Sequence, residues 1–270
     1  MNKHLGLVLL FCSAAMAQSP AATPSTVAAP ASAPANSVSR TTKAVNYPRK
    51  GNLKIAFQGT ELMSGASGEA KVESKNGRVE IEAHLEGIDP ATKFGLEYLT
   101  YVLWAVSPDG RAVNLGEVEL DHGKSHVRAI SGMQTFGLIV TAEPYWGVTQ
   151  PSDVVVMENF IRNDTTGTIE QVDAKYELLQ RGQYTKVISG KQLSPLTNDP
   201  AINLQLREAR NAVAIARASG ADRYANDTFQ KALIDLQNAE GFWRSKGDKK
   251  QLETNAREAV QMSEDARIVS

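Results

Sequence analysis

The run "YVLWAV" at residues 101–106 constrains this chain more than any other feature. In an extended chain successive side chains point to opposite faces. Tyr101, Leu103 and Ala105 then share one face, and Val102, Trp104 and Val106 share the other. A strand that is apolar on both faces has to be covered on both sides, so a central strand with packed layers above and below it is expected here. Ser107-Pro108-Asp109-Gly110 ends the run, with Pro108 presetting φ for a turn and Gly110 letting the chain reverse.

The same period of two runs through the neighbouring sequence. Leu53, Ile55 and Phe57 alternate with polar residues. In "AKVESKNGRVEIEAHL", Ala70 and Val72 precede Asn76-Gly77, and Val79, Ile81, Ala83 and Leu85 follow it. Asn-Gly suits a two-residue hairpin turn with positive φ at both positions. Further strands are expected over 112–115, 117–120, 125–130, 136–141 and 154–160. Short strands separated by turn signals predict an Ig-like antiparallel β-sandwich over 49–163.

Beyond this the pattern changes. Residues 164–198 read as a connector with one short helix over 172–181. Asp199 is then expected as an N-cap with Pro200 at the first helical position. Ile202, Leu206, Ala209, Val213 and Ala216 recur on one helical face, which Gly220 ends. A second helix is expected from Asp227, with Gln230 completing a capping box and Phe229, Leu233, Leu236 and Trp243 as its stripe. Asp248 and Gln251 repeat the signal for a third helix carrying Leu252, Ala256 and Ala259. Short connections make neighbouring helices antiparallel. The fold class expected is therefore α+β and multidomain: a sandwich followed by a short helical bundle over 199–270. Tyr224 is expected to wedge between helices.

The first residues read as an export signal. Lys3 and His4 precede a mostly apolar stretch over 5–15, and Ala15-Met16-Ala17 places cleavage before Gln18. No later segment approaches the ~20 apolar residues of a spanning helix. Residues 1–17 are thus a signal peptide and 18–48 a disordered linker rich in Ala, Pro and Ser. Cys12 is the only cysteine. It leaves with the signal, so the mature chain has no disulfide and no thiol nucleophile. A periplasmic or outer-envelope location follows.

Two resemblances add to this. "YVLWAVSPDGRAVNLG", "FGLIVTAEP" and "QPSDVVV" resemble the extracytoplasmic domain of anti-sigma-K-type factors. The matching positions are Tyr101, Trp104, Pro108, Asp109, Gly110, Phe136, Val140, Thr141, Glu143, Pro144, Pro151 and Ser152. Those factors carry a sigma-binding domain and a membrane helix before this domain, where this chain has a signal and a linker. The resemblance implies the β-rich fold and an extracytoplasmic place, not sigma-factor control. Residues 199–270 resemble an uncharacterised family of bacterial envelope helical hairpins, through Gly220, Ala221, Tyr224, Ala225, Gly247 and Asp248. That family often precedes OmpA-like domains.

Function is less visible. A formal charge of −1 gives no pull toward nucleic acid. Neither a nucleophile elbow nor a phosphate-binding glycine loop is found. Asp121, His122 and His126 could converge across a turn as metal ligands, but two histidines on a charged turn read as solvated, so no catalytic, cofactor or metal residue is assigned. Alanine-rich stripes bury little area, so three helices need not cover Leu206, Val213, Phe229, Leu236 and Trp243; the sandwich, a second copy or a partner could, and a partner or self-association is the cover expected. With Tyr145 and Trp146 at a strand end, these are the candidate interaction residues. The expectation is a non-enzymatic, exported envelope protein acting as a scaffold or protein-interaction module. The alternative is a periplasmic sensor or ligand-binding module using the loop end around Tyr145 and Trp146.

Overall fold

The computed structural model describes residues 37–162, 170–180 and 199–270. Ten strands come first: β1 (Ser37–Asn46), β2 (Asn52–Gly59), β3 (Ser67–Lys75), β4 (Arg78–Glu86), β5 (Thr100–Val106), β6 (Ala112–Glu117), β7 (Lys124–Ser131), β8 (Thr135–Glu143), β9 (Val155–Phe160) and β10 (Gln171–Leu179). Four helices follow: α1 (Leu204–Ser219), α2 (Ala221–Tyr224), α3 (Asn226–Arg244) and α4 (Lys249–Val269). The chain is α+β, with a mostly antiparallel sheet and its helices at the C-terminal end, as the sequence order implies.

The ladders form one ten-stranded sheet rather than two separately paired ones. Its path runs β10-β1-β8-β9-β2-β3-β4-β7, and β5 and β6 branch from β8. The start of β8 pairs with β1, its length with β5 and its middle with β9. The sheet curls until β6 lies beside β7 without a ladder between them, leaving it nearly closed. Alternation drives the curl. Leu53, Ile55, Phe57, Val72, Ile81 and Leu85 point inward, against Leu103, Leu138, Val140 and Val156 from the opposite wall. The β3–β4 turn falls at Asn76 and Gly77, with φ of 51° and 76°.

The strand that opened the sequence reading is buried on both faces, as its composition requires. Tyr101, Leu103 and Ala105 face the inner core. Val102, Trp104 and Val106 face a second core, closed by Leu206, Ala209, Ile215, Ala256 and Val260 of the helices and by Ala174, Tyr176 and Leu178 of β10. A smaller third core lies among the helices around Val213, Phe229 and Ala266.

Several boundaries differ from expectation. Residues 37–46, read as linker, form β1, whose partner along its whole length is β10. Residues 171–179, read as a short helix, are that partner strand. Only Ala174, Tyr176 and Leu178 need cover there, and they alternate with period two. A Cβ on Gly110 would stand 2.2 Å from the Lys175 carbonyl oxygen, so β10 lies directly on the Pro108 turn. The first helix starts at Leu204 with Asn203 as its cap, whose side chain accepts from Leu206 N. Asp199 instead caps a preceding turn, accepting from Ala201 N at 2.9 Å. Gly220 ends α1 at φ 98°, and Asp248 caps α4 by accepting from Gln251 N, both as read. Tyr224 is 70% exposed and wedges nothing. The described residues all belong to one compact unit, in which strands and helices share a core.

Candidate functional site

Two clusters of polar residues stand out, one inside the sheet–helix junction and one on the open face of the sheet.

The junction is built from the ends of β5, β6 and β8 and from α1 and α4. Trp104 donates its indole N–H to Thr141 Oγ1 at 2.8 Å. Thr141 donates in turn to Glu143 Oε1 at 2.5 Å, which also accepts from Ser152 N at 2.7 Å. Trp104, Thr141, Glu143 and Ser152 are thus one hydrogen-bonded chain holding the loop after β8 against the central strand. Glu143 is fully buried, and burial pushes its carboxyl up to about 8 against these hydrogen bonds.

A second carboxylate fixes α4. Glu264 accepts from Tyr145 Oη at 2.7 Å, from Thr149 N at 2.9 Å and from Thr149 Oγ1 at 2.6 Å. Arg267 grips both its oxygens, at 2.6 and 2.7 Å. Burial works against the charge, but these donors together hold Glu264 below its usual range. Glu264 sits four positions after Val260 on the stripe Leu252, Ala256, Val260. A carboxylate on an apolar stripe was the available signal, and the sequence reading missed it.

The third tie joins β6 to α4. Arg257 reaches Glu117 at 2.6 Å and Glu119 at 3.0 Å, and its guanidinium lies 5.1 Å from the Trp146 ring centroid. Thr100 Oγ1 donates to Glu117 at 2.9 Å. Glu208 of α1 is buried beside Glu117, with no partner of good geometry for either oxygen among the described residues. Burial first, then the neighbouring Glu117, raises its carboxyl well above the ordinary value. Asn211 adds a neutral tie from α1, donating to the carbonyls of Glu97 and Pro144 at 3.1 and 3.3 Å.

The residues nominated from sequence as an interaction surface fall largely inside this junction. Tyr145 and Leu206 are fully covered, and Val213 and Phe229 nearly so. Trp146, Leu236 and Trp243 are partly covered by the same cores. The expectation that the helix stripes need an outside partner is therefore corrected: the outer face of β5, β8 and β9 covers α1 and α4. The connector conceals this, because residues 171–179 dock as a strand, where their sequence suggests a helix.

The open face is different. On β2, β3, β4 and β7 the outward residues are mostly charged. Lys54, Lys71, Glu82 and Arg128 form one cross-strand row, and Ala56, Glu69, His84 and His126 the next. Asp121 and His122 lie on an exposed turn, 3.7 Å apart. His126 is not brought to them but stacks on His84, with ring centroids 4.3 Å apart and planes 8° from parallel. Glu82 Oε1 lies 2.9 Å from His126 Nε2 and accepts from Arg128 Nε and Nη2 at 3.2 and 3.0 Å. One ligand-capable atom from each of Glu82, His84 and His126 falls within 4.8 Å of the others. The two histidines line a groove of about 1160 Å³ that also touches Lys54, Glu69, Glu86, Asp121 and Lys124. Sequence reasoning named His126 and missed Glu82 and His84, because only the β4–β7 register brings them together. No helix among the described residues is long and apolar enough to cross a membrane.

Comparison with protein-family models, with curated proteins and with solved structures finds no match.

Proposed function

We propose that this is an exported cell-envelope protein that works by contact rather than by catalysis, as a scaffold or protein-interaction module. One observation carries the reading: the outer surface of the sheet is divided. Over β5, β8 and β9 it is sealed by helices held with buried carboxylates. Over β2, β3, β4 and β7 it stays open and carries interspersed charges of both signs. A rigid face with interspersed charges suits a folded partner of complementary pattern, since such groups set specificity and encounter rate. In this reading the strand region is a modified Ig-like sandwich. One layer is β2, β3, β4 and β7, the other is β9, β8, β5 and β6, and the inner core lies between them.

The signal-like first residues and the likeness to anti-sigma-K-type extracytoplasmic domains support an envelope location. Mass spectrometry of the mature N-terminus tests it: Gln18 is expected first, and an intact Met1 or a lipid on Cys12 contradicts export by this route. For the contact surface, a photoreactive residue is placed at Lys71 or Arg128 on the sheet, or at exposed Ile234 on α3. Cross-linking in intact cells should give a discrete adduct from the sheet positions, weakened by salt. Adducts from Ile234 alone would place the partner on the helices instead.

A further inference from the structure

We propose that His84, His126 and Glu82 form a binding site for a divalent transition-metal ion on the outer face of β4 and β7. The register puts His84 directly opposite His126. Residues directly opposed across antiparallel strands have Cβ atoms roughly 4.5–5.5 Å apart, and two imidazoles on such a pair can turn toward one ion. Glu82 lies two residues before His84, on the same face of the same strand, and supplies a third donor from below. The three ligand atoms already lie within 4.8 Å of one another. Zinc bonds of about 2.0–2.2 Å require that spacing to close to roughly 3.2–3.6 Å, which side-chain rotation supplies while the ladder holds the backbone.

The surroundings fit a metal better than a plain ion pair. Arg128 binds Glu82 through Oε1 alone, and none of the carboxylate's hydrogen bonds uses Oε2. The guanidinium thus orients the carboxylate and leaves its second oxygen for coordination, as outer-shell partners of metal ligands do. Glu69, next to His84 in the cross-strand row, adds negative charge without being needed as a ligand. Two imidazoles and a carboxylate are borderline donors, suited to Zn²⁺, Ni²⁺ or Cu²⁺ and ill suited to Ca²⁺ or Mg²⁺. Three protein ligands leave a coordination position facing the groove, where an external donor such as a carboxylate or imidazole of a partner can complete the ion's shell.

The test uses the full mature chain, freed of metal by chelator, and Zn²⁺ or Cu²⁺ alone as the probe. Calorimetry should give one site per chain with micromolar affinity, and electron paramagnetic resonance of the Cu²⁺ form should show nitrogen coupling from two imidazoles. His84→Ala and His126→Ala should each weaken binding at least tenfold, and Glu82→Gln somewhat less. His122→Ala should leave binding unchanged. All three side chains lie at the surface, so these variants should keep the parent's unfolding midpoint. Absence of binding up to ~1 mM metal would overturn the proposal, and so would equal binding by the double histidine variant or dependence on His122.

Discussion

At the scale of single residues, the sequence motif around Trp104 has a physical reason. Trp104 lies on a strand distant in the chain from Thr141, Glu143 and Ser152, yet all four share one buried hydrogen-bond chain. Trp104→Ala removes a fully covered ring and the donor to Thr141, and should cost ~3–5 kcal/mol. Trp104→Phe keeps most of the packing and should cost about 1–2 kcal/mol. Urea unfolding of the two variants separates ring from hydrogen bond, and an unchanged midpoint in Trp104→Phe would mean that the bond carries nothing. Glu143 makes a second prediction. Its carboxyl, pushed up to about 8 by burial, holds a proton in the folded chain that the unfolded chain releases near 4.5. Its contribution is therefore full below the lower value and is lost as pH rises through the higher one. Glu208 acts with the same sign. Glu264, held low, acts with the opposite sign, and its contribution is lost as pH falls. The urea midpoint of the parent should fall on going from about pH 5 to about pH 9, and Glu143→Gln should flatten that fall. Equal slopes in both proteins would remove Glu143 from the account.

At the scale of elements, what was legible depended on whether burial follows a local period. β2 to β5 and the Asn76-Gly77 turn were readable because their inward residues alternate between clear turn signals. α4 was readable from Asp248 and Gln251. β1 was not. Its sequence "SVSRTTKAVN" is mostly polar, and its order comes from β10 and from ties such as Ser37 and Ser39 to Glu177, at 2.8 and 2.6 Å, and Arg40 to Glu158. β10 was misread because Ala174 and Leu178, four positions apart among charged residues, also fit one turn of helix, and Tyr176 between them is the one position that marks a period of two. For α4 the decisive group is Glu264. Glu264→Ala leaves the buried Tyr145 hydroxyl and the Thr149 amide without their acceptor and removes the ion partner of the partly exposed Arg267, and should cost ~2–4 kcal/mol. A loss under about 1 kcal/mol would show that apolar packing alone docks α4.

For the whole molecule, the sequence conveyed the order of strands before helices but not their union. The alanine-rich stripes of α1 and α4 suggested a marginal bundle seeking a partner. The missing cover is the second face of β5, whose apolar side chains Val102, Trp104 and Val106 needed the helices as much as the helices needed them. The two halves of that argument lay a hundred residues apart in the chain, and the paired His84 and His126 were hidden for the same reason. The same juncture bears on function. If the helices are part of the core, the outer face of β5, β8 and β9 is closed to partners, and the open sheet face is that of β2, β3, β4 and β7. Native-state hydrogen exchange on the full mature chain tests this union most directly, since each amide reports the free energy of the opening that exposes it. One body requires that amides in α1 and α4 open with the same free energy, and the same denaturant dependence, as amides in the β3–β4 hairpin on the far wall. Helices that open together at a clearly lower free energy, with the hairpin still protected, would contradict it.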